Sequence, residues 1–243
     1  PDSKYFLTGL DNGKLSLWNI AEGKKSMTYE GINQSIAAAA FSSDETIGAY
    51  AVSRDNKANS LMIYDYENSS ISDVLPLNLI QVNELKFQKN SDILTVCGAG
   101  FLGRSIYFYN VKTQKMDEFP VKAESANVPR FSDGNRFFAF AVNDTMKVYD
   151  LKNNIMKGYS VSENKAPVSS AVFKDNEIIF GNTAGSVYSY NFENDKKEKI
   201  LSLETDKVIE LAYTQNFDTL IAVTSSGIVS FWDEKRKKTC KYD

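Results

Sequence analysis

Gly98-Ala99-Gly100-Phe101-Leu102-Gly103 has the G-x-G-x-x-G spacing that can cradle a dinucleotide pyrophosphate, and it follows an apolar run, DILTVC. That chemistry needs a helix next, whose N-terminal N–H groups face the phosphates. The following residues, RSIYFYNV, alternate as a strand does, so the spacing reads as a hairpin between two strands. Acid–base chemistry finds little support. The chain has no histidine, which removes His-based triads, His general bases and His metal ligands together. Asp44-Glu45 and Asp117-Glu118 fall at predicted turns, where solvation explains them. Glycosidase-type catalysis would need two carboxyls held about 5–9 Å apart. Cys97 and Cys240 lie far apart and match no metal-ligand spacing. The reading is therefore no catalytic residue, no cofactor site and no metal site.

Four residues are candidates for contact with a partner. Phe101 and Leu102 place apolar side chains in a predicted loop tip, where they can meet another protein or fold back on their own sheet. Arg54 and Arg104 lie in equivalent loops and could anchor a partner through bidentate hydrogen bonds. Two basic runs, Lys196-Lys197-Glu198-Lys199 and Lys235-Arg236-Lys237-Lys238, are expected in turns, either solvated or touching an acidic partner.

The composition bounds the rest. The chain has 243 residues, 42% hydrophobic and 24% charged, with a net charge of −3. A nucleic-acid binder would carry a basic excess, so nucleic acid is not an expected partner. No apolar run approaches the roughly 18 residues of a membrane helix. Two cysteines in a chain of this size favour a reducing compartment, so the expected location is cytoplasmic.

A repeat organises these residues. Six segments end in an aromatic residue followed by Asn or Asp: Trp18-Asn19, Tyr64-Asp65, Tyr109-Asn110, Tyr149-Asp150, Tyr190-Asn191 and Trp232-Asp233. The aromatic positions are 46, 45, 40, 41 and 42 residues apart. A second marker, at Phe41, Phe87, Phe131, Phe173 and Tyr213, runs in phase and precedes the first by 17 to 23 residues. Each second marker is followed by a polar turn, such as SDGN after Phe131. Between them lie short runs rich in β-branched and aromatic residues, such as RFFAFAV and EIIFGN. Each repeat then supplies about four short strands. Such a sheet cannot cover both faces alone, and stacking sheets radially solves this, which is the β-propeller.

The repeat resembles the WD-repeat family, most closely in PDSKYFLTGLDNGKLSLWN and DTLIAVTSSGIVSFWD. A Trp-Asp pair occurs once, at Trp232-Asp233, and the family's Gly-His pair is absent. The family's His-Asp-Ser/Thr-Trp hydrogen-bond network therefore cannot be complete. Asp11, Thr183 and Ser225 stand at or near its Asp position. Within the family, VSSAVFKDNEIIFGNTAGSVYSYN is similar to a blade of the echinoderm microtubule-associated protein-like branch.

These observations lead to an all-β expectation: a WD-repeat-type β-propeller segment of six blades, at about 1–30, 31–79, 80–121, 122–162, 163–203 and 204–243. The first blade lacks its inner strand, and the segment reads as part of a longer chain with a seven-bladed ring. The resemblance implies a non-catalytic scaffold that binds other proteins through loops on one rim. The alternatives are a structural component of microtubules or cilia, with tubulin or ciliary proteins as partners, and a propeller enzyme with axial carboxylates.

Overall fold

The computed structural model describes residues 4–9, 14–29, 35–44, 46–54, 57–68, 70–160, 165–203, 206–214, 218–233 and 238–242. Among these residues the regular structure is strand, with no α-helix. The strands form six small antiparallel sheets in which sequence neighbours are also spatial neighbours. The first sheet has three strands, β1 (Tyr5–Gly9), β2 (Leu15–Asn19) and β3 (Lys24–Tyr29). The second contains β4 (Ser35–Phe41), β5 (Ile47–Arg54), β6 (Lys57–Asp65) and β7 (Ser70–Pro76). The third contains β8 (Leu79–Phe87), β9 (Ile93–Gly100), β10 (Ile106–Asn110) and β11 (Lys115–Glu118). The fourth contains β12 (Asn127–Phe131), β13 (Phe137–Val142), β14 (Thr145–Asp150) and β15 (Ile155–Ser160). The fifth contains β16 (Val168–Lys174), β17 (Glu177–Asn182), β18 (Ser186–Asn191) and β19 (Lys196–Ser202). The sixth contains β20 (Val208–Thr214), β21 (Thr219–Thr224), β22 (Val229–Asp233) and β23 (Lys238–Tyr242). The chain groups into two compact units, Pro1–Pro129 and Arg130–Asp243.

Both faces of the middle strands are apolar because both are covered. In the first unit, Ala49 and Ala51 of β5 join a core with Val82 and Leu85 of β8 and Leu94 and Val96 of β9. The alternate residues Tyr50 and Val52 face the other way, into a cluster with Leu15 and Met27 of the first sheet. Successive side chains point to opposite faces of a strand, so one strand serves two cores. The second unit repeats the device. Ile179 of β17 packs with Val208, Leu211 and Leu220 of the sixth sheet. Its neighbour Phe180 meets Tyr159 of the fourth sheet edge-on, with centroids 5.6 Å apart. A fully buried Leu or Phe contributes about 1.5–3 kcal/mol, so stacking is the main source of stability.

The Asn or Asp of the first marker has a physical reason. Asn19, Asp65, Asn110, Asp150 and Asn191 each end a third strand, or its equivalent β2, and turn their Oδ1 onto backbone N–H groups two or three residues ahead. This is an Asx turn, which Asn and Asp make and larger side chains do not. The aromatic residue before it also has a polar task. The Tyr109 hydroxyl donates to Asp73 of the preceding sheet, and the Tyr149 hydroxyl donates to Asn154 at 3.0 Å.

Four first strands carry a register shift at a matching place, at Ile36/Ala38, Leu79/Gln81, Val168/Ser170 and Val208/Glu210. A bulge adds local twist and turns one side chain off the ladder. In the second unit, Ser169 uses this to donate its hydroxyl to Val208 O of the next sheet. The bulges have no signature in the sequence pattern.

Candidate functional site

The connection between β9 and β10 is built around close backbone approach. A Cβ on Gly98 would lie 2.0 Å from Gln81 O, and one on Gly100 would lie 1.7 Å from Arg104 O. Glycine is thus required by packing. Phe101–Gly103 then forms one 3₁₀ turn, closed by Arg104 N–H donating to Phe101 O at 3.1 Å. A strand follows, so the G-x-G-x-x-G spacing makes the hairpin between β9 and β10 that its alternation predicts.

The neighbouring segment 119–126 braces this turn. Ala123 N–H donates to Gly103 O at 2.8 Å, Gly100 N–H to Glu124 O at 3.3 Å and Ala126 N–H to Gly98 O at 2.8 Å. Phe119, Ala123 and Ala126 are buried and anchor the segment. On this firm base Phe101 is 57% exposed and Leu102 is 86% exposed, the highest value among the exposed large apolar side chains. Neither folds back onto the sheet. Leu102 has φ 56°, in the left-handed region. That conformation costs a β-carbon-bearing residue about 1–2 kcal/mol.

Arg104 Nε lies 3.4 Å from Glu118 Oε2, and both side chains are well exposed. An exposed pair of this kind contributes at most about 1 kcal/mol and leaves other guanidinium donors for solvent or a partner. Arg54 ends β5 opposite Lys57 in the equivalent hairpin of the second sheet. Its side chain lies outside the described residues. The structure therefore brings Phe101, Leu102 and Arg104 together on one braced hairpin.

The other sequence motifs are absorbed by the fold. Lys196–Lys199 lies on strand β19 itself and not in a turn, correcting the expectation for that run. Lys197 sits over the rings of Tyr159 and Tyr190, at 5.5 and 5.7 Å, and Lys196 pairs with Glu198 at 3.2 Å. Residues 235–237 of the second run lie outside the described residues. The Ser42 hydroxyl donates to Asp44 at 2.6 Å and, with Thr46, holds that carboxyl below its usual range. Asp44 is thus a turn former. Asp117 pairs with Lys115 at 3.1 Å. Among the described residues no group of three or more His, Cys, Asp or Glu is placed to hold a metal ion, and no helix is long and apolar enough to cross a membrane.

Of the WD-type network, Asp11 lies outside the described residues. Trp18 Nε1 donates to Thr8 Oγ1 at 3.0 Å in the first sheet. Thr183 and Ser225 occupy equivalent places. Their backbone N–H groups donate to Pro167 O and Lys207 O, both at 2.9 Å, tying the hairpin of each sheet to the segment entering it. In the sixth sheet Asp206 also accepts from the Ser225 and Ser226 hydroxyls and from Ser226 N–H, which hold its carboxyl well below the ordinary range.

A second feature escaped sequence reasoning. A cleft of about 200 Å³ opens in the second unit, lined by residues of β13, β14 and β15 and by the turn after β18. Phe137 and Phe192 meet there with centroids 4.6 Å apart. Arg136 lies over Phe137 at 4.7 Å and pairs with Asp150 at 2.9 Å. Burial pushes the Asp150 carboxyl up. Arg136, the Asn153 and Lys152 N–H groups and the Asn153 amide outweigh it and hold the carboxyl at about 2. Four separate chain segments make this cleft, so no local motif marks it.

The sheets and their packing place the chain in the all-β class, as a six-bladed β-propeller type. Its exposed apolar feature is the β9–β10 hairpin. No protein-family model matches the chain, and no curated protein matches it.

Proposed function

We infer that the chain is a non-catalytic interaction scaffold of divergent WD-repeat type, and that the β9–β10 hairpin inserts Phe101 and Leu102 into an apolar site on a partner protein. The observation that carries this reading is the exposure of two large apolar side chains on a backbone held by four hydrogen bonds. A rigid apolar tip binds at low entropic cost, because little order remains to be imposed. Aromatic and apolar anchors of this kind dominate interface energies. Arg104 adds orientation at the edge of the same hairpin. The Trp18–Thr8 hydrogen bond and the Asx turns support kinship with WD repeats. An intracellular location belongs to the same reading and draws support from the scarcity of cysteine, two in 243 residues.

The test is quantitative affinity capture by the intact chain and by a Phe101→Ser, Leu102→Ser variant of unchanged thermal stability. At least one partner should be retained by the native hairpin and reduced at least tenfold by the variant. Identical capture by the two proteins would remove this hairpin as the binding surface.

A further inference from the structure

The cleft of the second unit has a chemistry of its own. Its volume of about 200 Å³ is below the roughly 300–1,000 Å³ of cofactor and drug-sized sites, and suits one large side chain. The apolar part comes from Phe137, Phe192, Val148 and Ile155. Ile155 is 55% exposed, although it stands on an outer strand where a polar residue would be at no disadvantage. Two cations, Arg136 and Lys157, line the same cleft.

The four charged groups of the cleft are not equivalent. Asp150 accepts from Arg136, from Lys152 N–H, from Asn153 N–H and from the Asn153 amide, which occupies its acceptor sites. It orients Arg136 and is not open to a ligand. Arg136 has five N–H donors, directs one at Asp150, and keeps a half-exposed side chain. Lys157 has three donors and directs one at Phe192 O. Spare donors of positive charge thus border an apolar hole. Glu193 also lines the cleft and disfavours a polyanion, so a single carboxylate is the matching charge.

We propose that this cleft docks a short peptide segment of a partner protein in which an aromatic or large aliphatic side chain is flanked by a carboxylate. The apolar side chain sits against Phe137, Phe192 and Ile155. The carboxylate meets Arg136 and Lys157. Charge complementarity and the size of the hole select this occupant. The inference rests on the reading of the chain as an interaction scaffold, but it uses residues separate from the Phe101–Leu102 hairpin.

The test is fluorescence polarisation of the intact chain with an end-blocked, labelled peptide, Gly-Asp-Phe-Gly-Gly. Saturable binding with a dissociation constant below about 1 mM is expected. Ile155→Asp and Lys157→Glu, both at exposed positions, should each weaken it at least tenfold while leaving thermal stability unchanged. A peptide with Gly in place of Phe, and one with Lys in place of Asp, should not bind. The Phe101→Ser, Leu102→Ser variant should bind the peptide as the native chain does. The proposal is overturned by absence of saturable binding, by equal binding of the Gly-substituted peptide, or by indifference to both cleft substitutions. Loss of peptide binding in the hairpin variant would also overturn it, by moving the site to the hairpin. Failure of the hairpin in affinity capture leaves the peptide measurement intact, so the two readings fail separately.

Discussion

Replacing Asp150 by Ala and, separately, by Asn divides the contribution of a turn from that of an ion pair. Asp150 accepts hydrogen bonds from Lys152 N–H at 2.9 Å, Asn153 N–H at 3.1 Å and the Asn153 amide at 2.8 Å, and pairs with Arg136 at 2.9 Å. Its carboxyl falls from an ordinary 3.8 to about 2. At about 1.4 kcal/mol per pH unit this preference for the charged form corresponds to about 2 kcal/mol. Asp150→Ala removes every one of these bonds and should cost about 2–3 kcal/mol. Asp150→Asn keeps the Oδ1 acceptor. The sister residues Asn110 and Asn191 hold the same turn as neutral amides. It should therefore lose what Oδ2 accepts, the ion pair with half-exposed Arg136 and the Asn153 amide bond, about 1–2 kcal/mol. In a chain of this size the Ala variant should melt about 4–12 °C lower and the Asn variant about 2–8 °C lower. The pH dependence has a definite sign. The folded carboxyl titrates below the unfolded one, so its stabilisation is complete above about pH 4 and disappears as pH falls through about 2. The gap between native protein and Asp150→Asn should close over that window. Equal losses for Ala and Asn, or a gap that stays constant down to pH 2, would refute the assignment of the turn to Oδ1 and of the low pKa to Arg136 and the N–H donors around it.

Three further outcomes follow from the packing. Leu61→Ala, at a fully buried position, should lower the urea midpoint by the equivalent of about 2–5 kcal/mol. Gly100→Ala places a Cβ 1.7 Å from Arg104 O, so it should destabilise the protein and raise amide exchange across 98–105, whereas an unchanged exchange pattern would contradict the close approach. Leu102→Gly relieves a left-handed φ of 56° and should raise thermal stability by the equivalent of about 0.5–1 kcal/mol, while reducing partner capture.

The fold was legible because its physics is periodic. Stacked sheets need apolar residues on both faces, and runs such as Phe137–Val142 and Thr219–Thr224 display that need directly. The turn-forming Asn or Asp after Tyr109, Tyr149 and Tyr190 is equally local, since donor and acceptor are two or three residues apart. The hairpin tip was legible for the same reason: Phe101 and Leu102 stand in a glycine-rich connection where core residues have no place. What stayed hidden depends on distance along the chain. The bond from Arg130 Nε to Ala171 O spans 41 residues, and the Phe137–Phe192 contact joins two repeats. The bulges were hidden because Ala37, Ile80, Ser169 and Ile209 share no residue type, and a bulge answers to backbone twist more than to side-chain chemistry.

The hairpins show where a repeat has room for function. Between β13 and β14 the connection is two residues, Asn143 and Asp144, and it presents polar groups. Between β17 and β18 it is three residues, Thr183 to Gly185, tied down through Asn182. Between β9 and β10 it is five residues, Phe101 to Ser105, braced from a second segment and tipped with the two most exposed candidates for contact. Extra length in a loop raises the entropy of ordering it unless something else fixes it. Here glycine-permitted backbone contacts fix it, and the apolar tip gains nothing from its own fold. A segment that is ordered at a cost, strained at Leu102 and exposed at its most apolar residues is the feature on which the proposed partner contact rests.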